Sequence, residues 1–123
     1  MYRVIVAGGR DFQDYELLKE QINKAIAYFK LSQIEIVSGG CRGADILGEK
    51  YASENGYPVK RFIAQWDKYG KAAGAIRNKE MAEYVSASDG CLIAFWDGKS
   101  KGTKNMIDTA KMLGVPYYIV YYG

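Results

Sequence analysis

A chain of 123 residues with 49% hydrophobic and 25% charged content is sized for one domain with a sizeable core. It has no histidine and two well-separated cysteines, Cys41 and Cys91, which excludes imidazole acid–base chemistry, histidine-built triads and zinc sites, and offers neither a disulfide framework nor a thiolate metal site. The net charge of +3 does not by itself imply nucleic acid, no segment nears the ~20 apolar residues of a membrane span, and "MYRVIVAGGRDF" lacks a signal pattern, so a cytoplasmic protein with no membrane partner, metal or cofactor is expected.

Along the chain, apolar runs too short for helices alternate with longer segments of helical period. "YRVIVA" (2–7) reads as the first strand. A helix begins near Asp14, a candidate N-cap, and sets Leu18, Ile22, Ala25, Ile26 and Phe29 along one stripe. "IEIVS" (34–38) is the second strand, followed by a helix from 44 to about 55 that "NGYP" stops. "PVKRFI" (58–63) is the third, and the helix over 73–86 turns Ile76, Met81, Ala82 and Val85 inward. "GCLIAF" (90–95), a helix over 103–113 ending at "GVP", and "PYYIVYY" (116–122) complete the chain.

This alternation predicts an α/β fold with one five-stranded parallel sheet between two helical layers. Right-handed crossovers leave strand orders 3-2-1-4-5 and 2-1-3-4-5, and the first is favoured. In either, ligands bind beyond the carboxyl ends of the strands. The loops there are "GGRDF" (8–12), "GGCRGAD" (39–45), "AQWDKYGKAAGAIR" (64–77) and "WDGKSKGTK" (96–104). They hold eight basic residues against four acidic ones, so the whole positive excess of a +3 chain lies on one edge, where helix N-termini also point.

Anion binding is therefore the expected chemistry, with each residue carrying a plainer alternative. Gly8, Gly9, Gly39, Gly40 and Gly43 let backbone approach a phosphate or simply make tight strand-to-helix turns. Arg10 and Arg42 face the anion. Asp11, Asp45 and Asp97 are the acids at hand, Asp11 being the catalytic candidate if there is one, or else a cap of the first helix. Trp66 either stacks on a base or packs its loop, and Arg77 with Asn78 either grips phosphate or braces the loop through backbone carbonyls. Neither GxGxxG nor GxxxxGK[ST] is present, which disfavours nicotinamide dehydrogenases and ordinary P-loop NTPases.

The succession "AGGRDF", "SGGCRGAD", Trp66 with "YGKAAGAIRNKEM", and "IAFWDGKSKGTKNMI" resembles the YspA-core-like branch of the SLOG superfamily over nearly the whole chain. The resemblance implies a Rossmann-like domain of order 3-2-1-4-5, related to the LOG phosphoribohydrolases and to DprA, that binds a nucleotide or nucleotide-derived signal. LOG enzymes carry PGGxGTxxE. Here Gly102 and Thr103 match the GT pair, but Met106 stands in the glutamate's place, and a thioether cannot carry a catalytic proton. A binding module that senses or sequesters the ligand is therefore favoured over a nucleoside-phosphate hydrolase, and nucleic acid is the least favoured partner. The tyrosine-rich last strand at the sheet edge adds an expectation of a homo-oligomer.

Overall fold

Along β1 (Tyr2–Gly8), successive side chains bury on opposite faces of the sheet: Val4 and Val6 join one apolar cluster, Ile5 and Ala7 another. Both faces are covered, which is why the strand reads as an unbroken apolar run. The computed structural model describes residues 1–123. The remaining strands are β2 (Ile34–Ser38), β3 (Val59–Arg61), β4 (Gly90–Trp96) and β5 (Tyr117–Tyr121). The helices are α1 (Tyr15–Phe29), α2 (Ala44–Asn55), α3 (Trp66–Tyr69), α4 (Ala73–Ser86) and α5 (Lys101–Met112), with a 3-10 turn, Gly70–Ala72, leading into α4.

All strand pairs are parallel and their order is β3-β2-β1-β4-β5, the expected doubly wound arrangement. β1 is central, pairing Val4 with Ile36 on one side and with Cys91 on the other. Leu18 and Ile22 of α1 and Tyr51 and Ala52 of α2 fill one layer with Phe12, Ile36 and Phe95. Met81, Ala82 and Val85 of α4 and Met106, Ile107 and Ala110 of α5 fill the other with Val37, Leu92 and Ala94. Asp14 caps α1, its Oδ1 accepting from Leu17 N at 3.0 Å, as its position suggests.

Three departures stand out, two of them with a local cause. The third strand is 59–61 rather than 58–63 and is exposed along its length, because it pairs on one side only. α5 starts at Lys101, two residues earlier than expected, because Ser100 caps it by accepting from Thr103 N at 3.4 Å. Phe29, set by its spacing on the buried stripe of α1, is 38% exposed. No helix is long and apolar enough to cross a membrane.

Candidate functional site

The carboxyl ends of β1, β2 and β4 turn into loops that, with α3 and the start of α4, wall a cavity of about 630 Å3. That volume lies within the range of small-ligand and cofactor sites. Eleven of the residues singled out from sequence line it: Gly8, Gly9, Arg10, Asp11, Arg42, Asp45, Trp66, Arg77, Asn78, Gly102 and Thr103. Gly39, Gly40 and Gly43 do not.

Those three glycines serve the turn behind the wall. Gly43 has φ +84°, and a Cβ on it would lie 2.2 Å from the Gly9 carbonyl oxygen, so only glycine lets the loop after β1 cross the start of α2. The crossing is fixed by Ala44 N donating to Gly9 O at 3.3 Å. At Gly39 a Cβ would lie 2.6 Å from Arg77 Nη1 and 2.7 Å from Asp45 Oδ2, so its bare Cα leaves room for two charged groups of opposite sign beside each other. The amides of Gly40 and Cys41 are already taken, by Ser38 Oγ at 3.0 Å and Asp45 Oδ2 at 3.3 Å. These two amides are therefore not free to receive an anion.

Arg77, by its sequence either a phosphate grip or a brace of the loop, is buried to 9% exposure. The guanidinium donates from Nη1 to Gly39 O at 2.8 Å and from Nε to Asn78 Oδ1 at 3.0 Å, and Nη1 also approaches Cys41 Sγ at 3.7 Å. It thus braces the loop after β2, while still facing the cavity. Asn78, on the same turn of α4, donates to Asn105 Oδ1 at 2.9 Å and to Gly102 O at 3.4 Å, tying α4 to α5. No carboxylate lies within ion-pair distance of Arg77, nor of Arg10, Arg42, Lys71 or Lys101, the other cations of the wall.

The acids of the wall are differently disposed. Asp11 accepts from the Tyr122 hydroxyl at 2.7 Å and caps no helix. Asp97 accepts the amides of Lys99 and Ser100, both at 2.8 Å, and these bonds, Ser100 first, hold its carboxyl below the ordinary range. Asp45 is 5% exposed, and burial pushes its pKa up to about 6. The Cys41 amide and the charges of Arg77 and Arg10 oppose that rise, while Glu49 adds to it. Asp45 is a cavity acid poised to hold or release a proton near neutrality.

The first turns of α4 and α5 contain no acidic residue, and at α5 the nearest carboxylate is that of Asp97, ahead of the Ser100 cap, whose amide it accepts. Trp66 opens α3, is 49% exposed, and lays its ring edge over Gly74. No three His, Cys, Asp or Glu side chains come together as a metal site would require. The sequence reading missed Lys71 and Asn105 as wall residues. Lys71 belongs to the basic third loop, whereas nothing in the local pattern marks Asn105, whose part depends on α4 and α5 lying side by side.

Together these features define a Rossmann-like α/β domain with a cation-lined cavity at the carboxyl ends of its strands. The chain belongs to the YspA, cpYpsA-related SLOG family (YAcAr), whose family model matches residues 2–69, from β1 through α3. It is 32% identical over 125 residues to the Gene 61 protein of Mycobacterium phage D29, the alignment covering 94% of each chain. Its fold is similar to that of DNA processing protein A (DprA) from Streptococcus pneumoniae, with a TM-score of 0.67 at 17% identity over 99% of this chain. This chain spans 50% of the DprA chain, and at that identity the likeness concerns the fold.

Proposed function

We infer that the cavity binds a phosphorylated nucleoside derivative and that the protein acts in the cytoplasm as a sensor or sequestering module for it. The observation that carries this reading is the unpaired set of cations, above all Arg77. Arg77 is buried with Asp45 near it at Gly39 but no carboxylate in direct ion-pair contact, and an anionic ligand would supply that direct partner. Lys101, Gly102 and Thr103 line the cavity at the start of α5, which supports a phosphate-binding loop there. The half-exposed Trp66 ring offers a stacking face for a base. Nucleic acid is the less favoured partner, because the basic groups gather in a cavity rather than along a track that a strand could follow.

Mass spectrometry of small molecules released from the purified protein tests the reading. A phosphorylated nucleoside at near-stoichiometric amount is expected, and an anion lacking a nucleoside would reassign the site.

Trp66→Ala should weaken binding of a nucleotide by about 1–3 kcal/mol, while binding of the corresponding ribose phosphate stays unchanged. Because the ring is half exposed, stability should move by no more than about 0.5 kcal/mol. Equal losses for both ligands, measured by calorimetry, would make Trp66 a packing residue of α3.

Asp45 favours a second reading, a nucleoside-phosphate hydrolase, since a carboxyl with a pKa of about 6 in a cavity is suited to general acid catalysis. Against it, Met106 occupies the place of the LOG glutamate at the cavity wall. The expected result is no release of free base from nucleoside monophosphates at enzyme-like rates, about 1 per second or faster. Turnover at such rates that disappears in Asp45→Asn would establish the hydrolase.

A further inference from the structure

The two edges of the sheet are built differently. β3 is three residues long and two of them are Lys60 and Arg61, the short, charged pattern that keeps other strands from adding to an edge. β5 is five residues long, carries no charge or proline, and keeps an unbroken register with β4 from Tyr117 to Tyr121. Pro116 O accepts from Leu92 N and Tyr122 N donates to Trp96 O, so the even-numbered residues bond to β4. Tyr117, Ile119 and Tyr121 consequently turn both amide and carbonyl outward.

Beside this edge, between α1 and the β4–β5 pair, lies an apolar groove of about 680 Å3 walled by Ala25, Tyr28, Phe29, Ile93, Tyr118 and Val120. Tyr28 is 80% exposed and Tyr118 42%, and the Phe29 and Tyr118 rings meet at 5.9 Å. On the opposite face Tyr121, 65% exposed, leans on Trp96 at 5.8 Å. The one charged residue of the groove, Lys24, is paired with Glu20 at 3.0 Å.

We propose that β5 and this groove bind a second copy of the chain about a two-fold axis through Ile119, joining two sheets into one. An isologous interface sets a patch against itself, so any unpaired charge in it would meet its own kind; the groove has none, and the cation beside the edge, Lys111, lies over the Tyr117 ring at 5.3 Å. Antiparallel pairing about Ile119 sets Tyr117 of each copy opposite Tyr121 of the other, and all three outward-facing residues then exchange both their hydrogen bonds. The tyrosine rings close over the joint on one face, and Tyr28 and Phe29 close over it on the other.

Light scattering on the eluting protein at micromolar concentration should give twice the 13.8 kDa chain mass. Tyr118→Glu with Tyr28→Glu, both at exposed positions, should return it to the single-chain mass with an unchanged circular-dichroism spectrum. Ile119→Pro, which removes an outward amide and leaves the bonds to β4 intact, should do the same. A wild-type protein that stays monomeric would overturn the proposal and leave the edge to a strand from another protein. A dimer that survives both variants would overturn it by placing the contact elsewhere.

Discussion

Asp45→Asn is expected to stabilise the ligand-free protein at neutral pH by about 2–3 kcal/mol, since burial moves the carboxyl from 3.8 to about 6 and each pKa unit corresponds to about 1.4 kcal/mol. The sign follows from the direction of the shift. A carboxyl whose folded pKa lies above its unfolded value holds its proton more tightly in the folded state. Its contribution to stability is therefore fully present below pH 3.8 and is lost as pH rises through about 6. Denaturant melts of wild type and Asp45→Asn should coincide near pH 3.5, separate between pH 4 and 6, and run parallel above. A variant less stable than wild type at pH 7 would mean instead that Arg77 and the Cys41 amide more than offset the burial of the charge. A buried carboxylate kept at such a cost, with Arg77 near but not in direct ion-pair contact, is the kind of local conflict that marks a functional position.

Arg77→Ala should act on both binding and stability. Loss of the fork would remove a charge-assisted contact to phosphate worth about 1.5–3 kcal/mol, or roughly 10- to 150-fold in affinity. Loss of the Nη1 donor would also leave the buried Gly39 carbonyl without its partner, at about 1–3 kcal/mol of stability. Affinity is therefore measured well below the melting temperature, where the variant remains folded. Arg77→Lys, which keeps the charge but not the planar fork, should recover part of each loss. Unchanged affinity in a destabilised Arg77→Ala protein would reduce the residue to a brace of the loop after β2.

Arg77 also marks the boundary of what the sequence discloses. Its place near the start of a helix, in a basic loop, was enough to bring it to the site, but its burial depends on Gly39 standing opposite it on another strand's loop. Strands such as "YRVIVA" and "GCLIAF" were legible because a strand covered on both faces is apolar throughout. α3 was not, because four residues complete barely one turn and display no period. The glycines of "SGGCRGAD" signalled a special backbone without revealing its guest: Gly43 accommodates the Gly9 carbonyl, not a phosphate. Asp11 and Asp45 look alike in sequence, and only the fold separates an exposed carboxylate bonded to Tyr122 from a buried one with a pKa of about 6.

The most direct test of the central claim, a nucleotide held by the unpaired cations of the cavity, is thermal unfolding of ligand-free protein against a panel of nucleoside mono-, di- and cyclic phosphates. At 100 times its dissociation constant the true ligand class should stabilise wild type by about 2.7 kcal/mol and Arg77→Ala far less. No stabilisation by any member of the panel, or an equal shift in Arg77→Ala, would contradict the account.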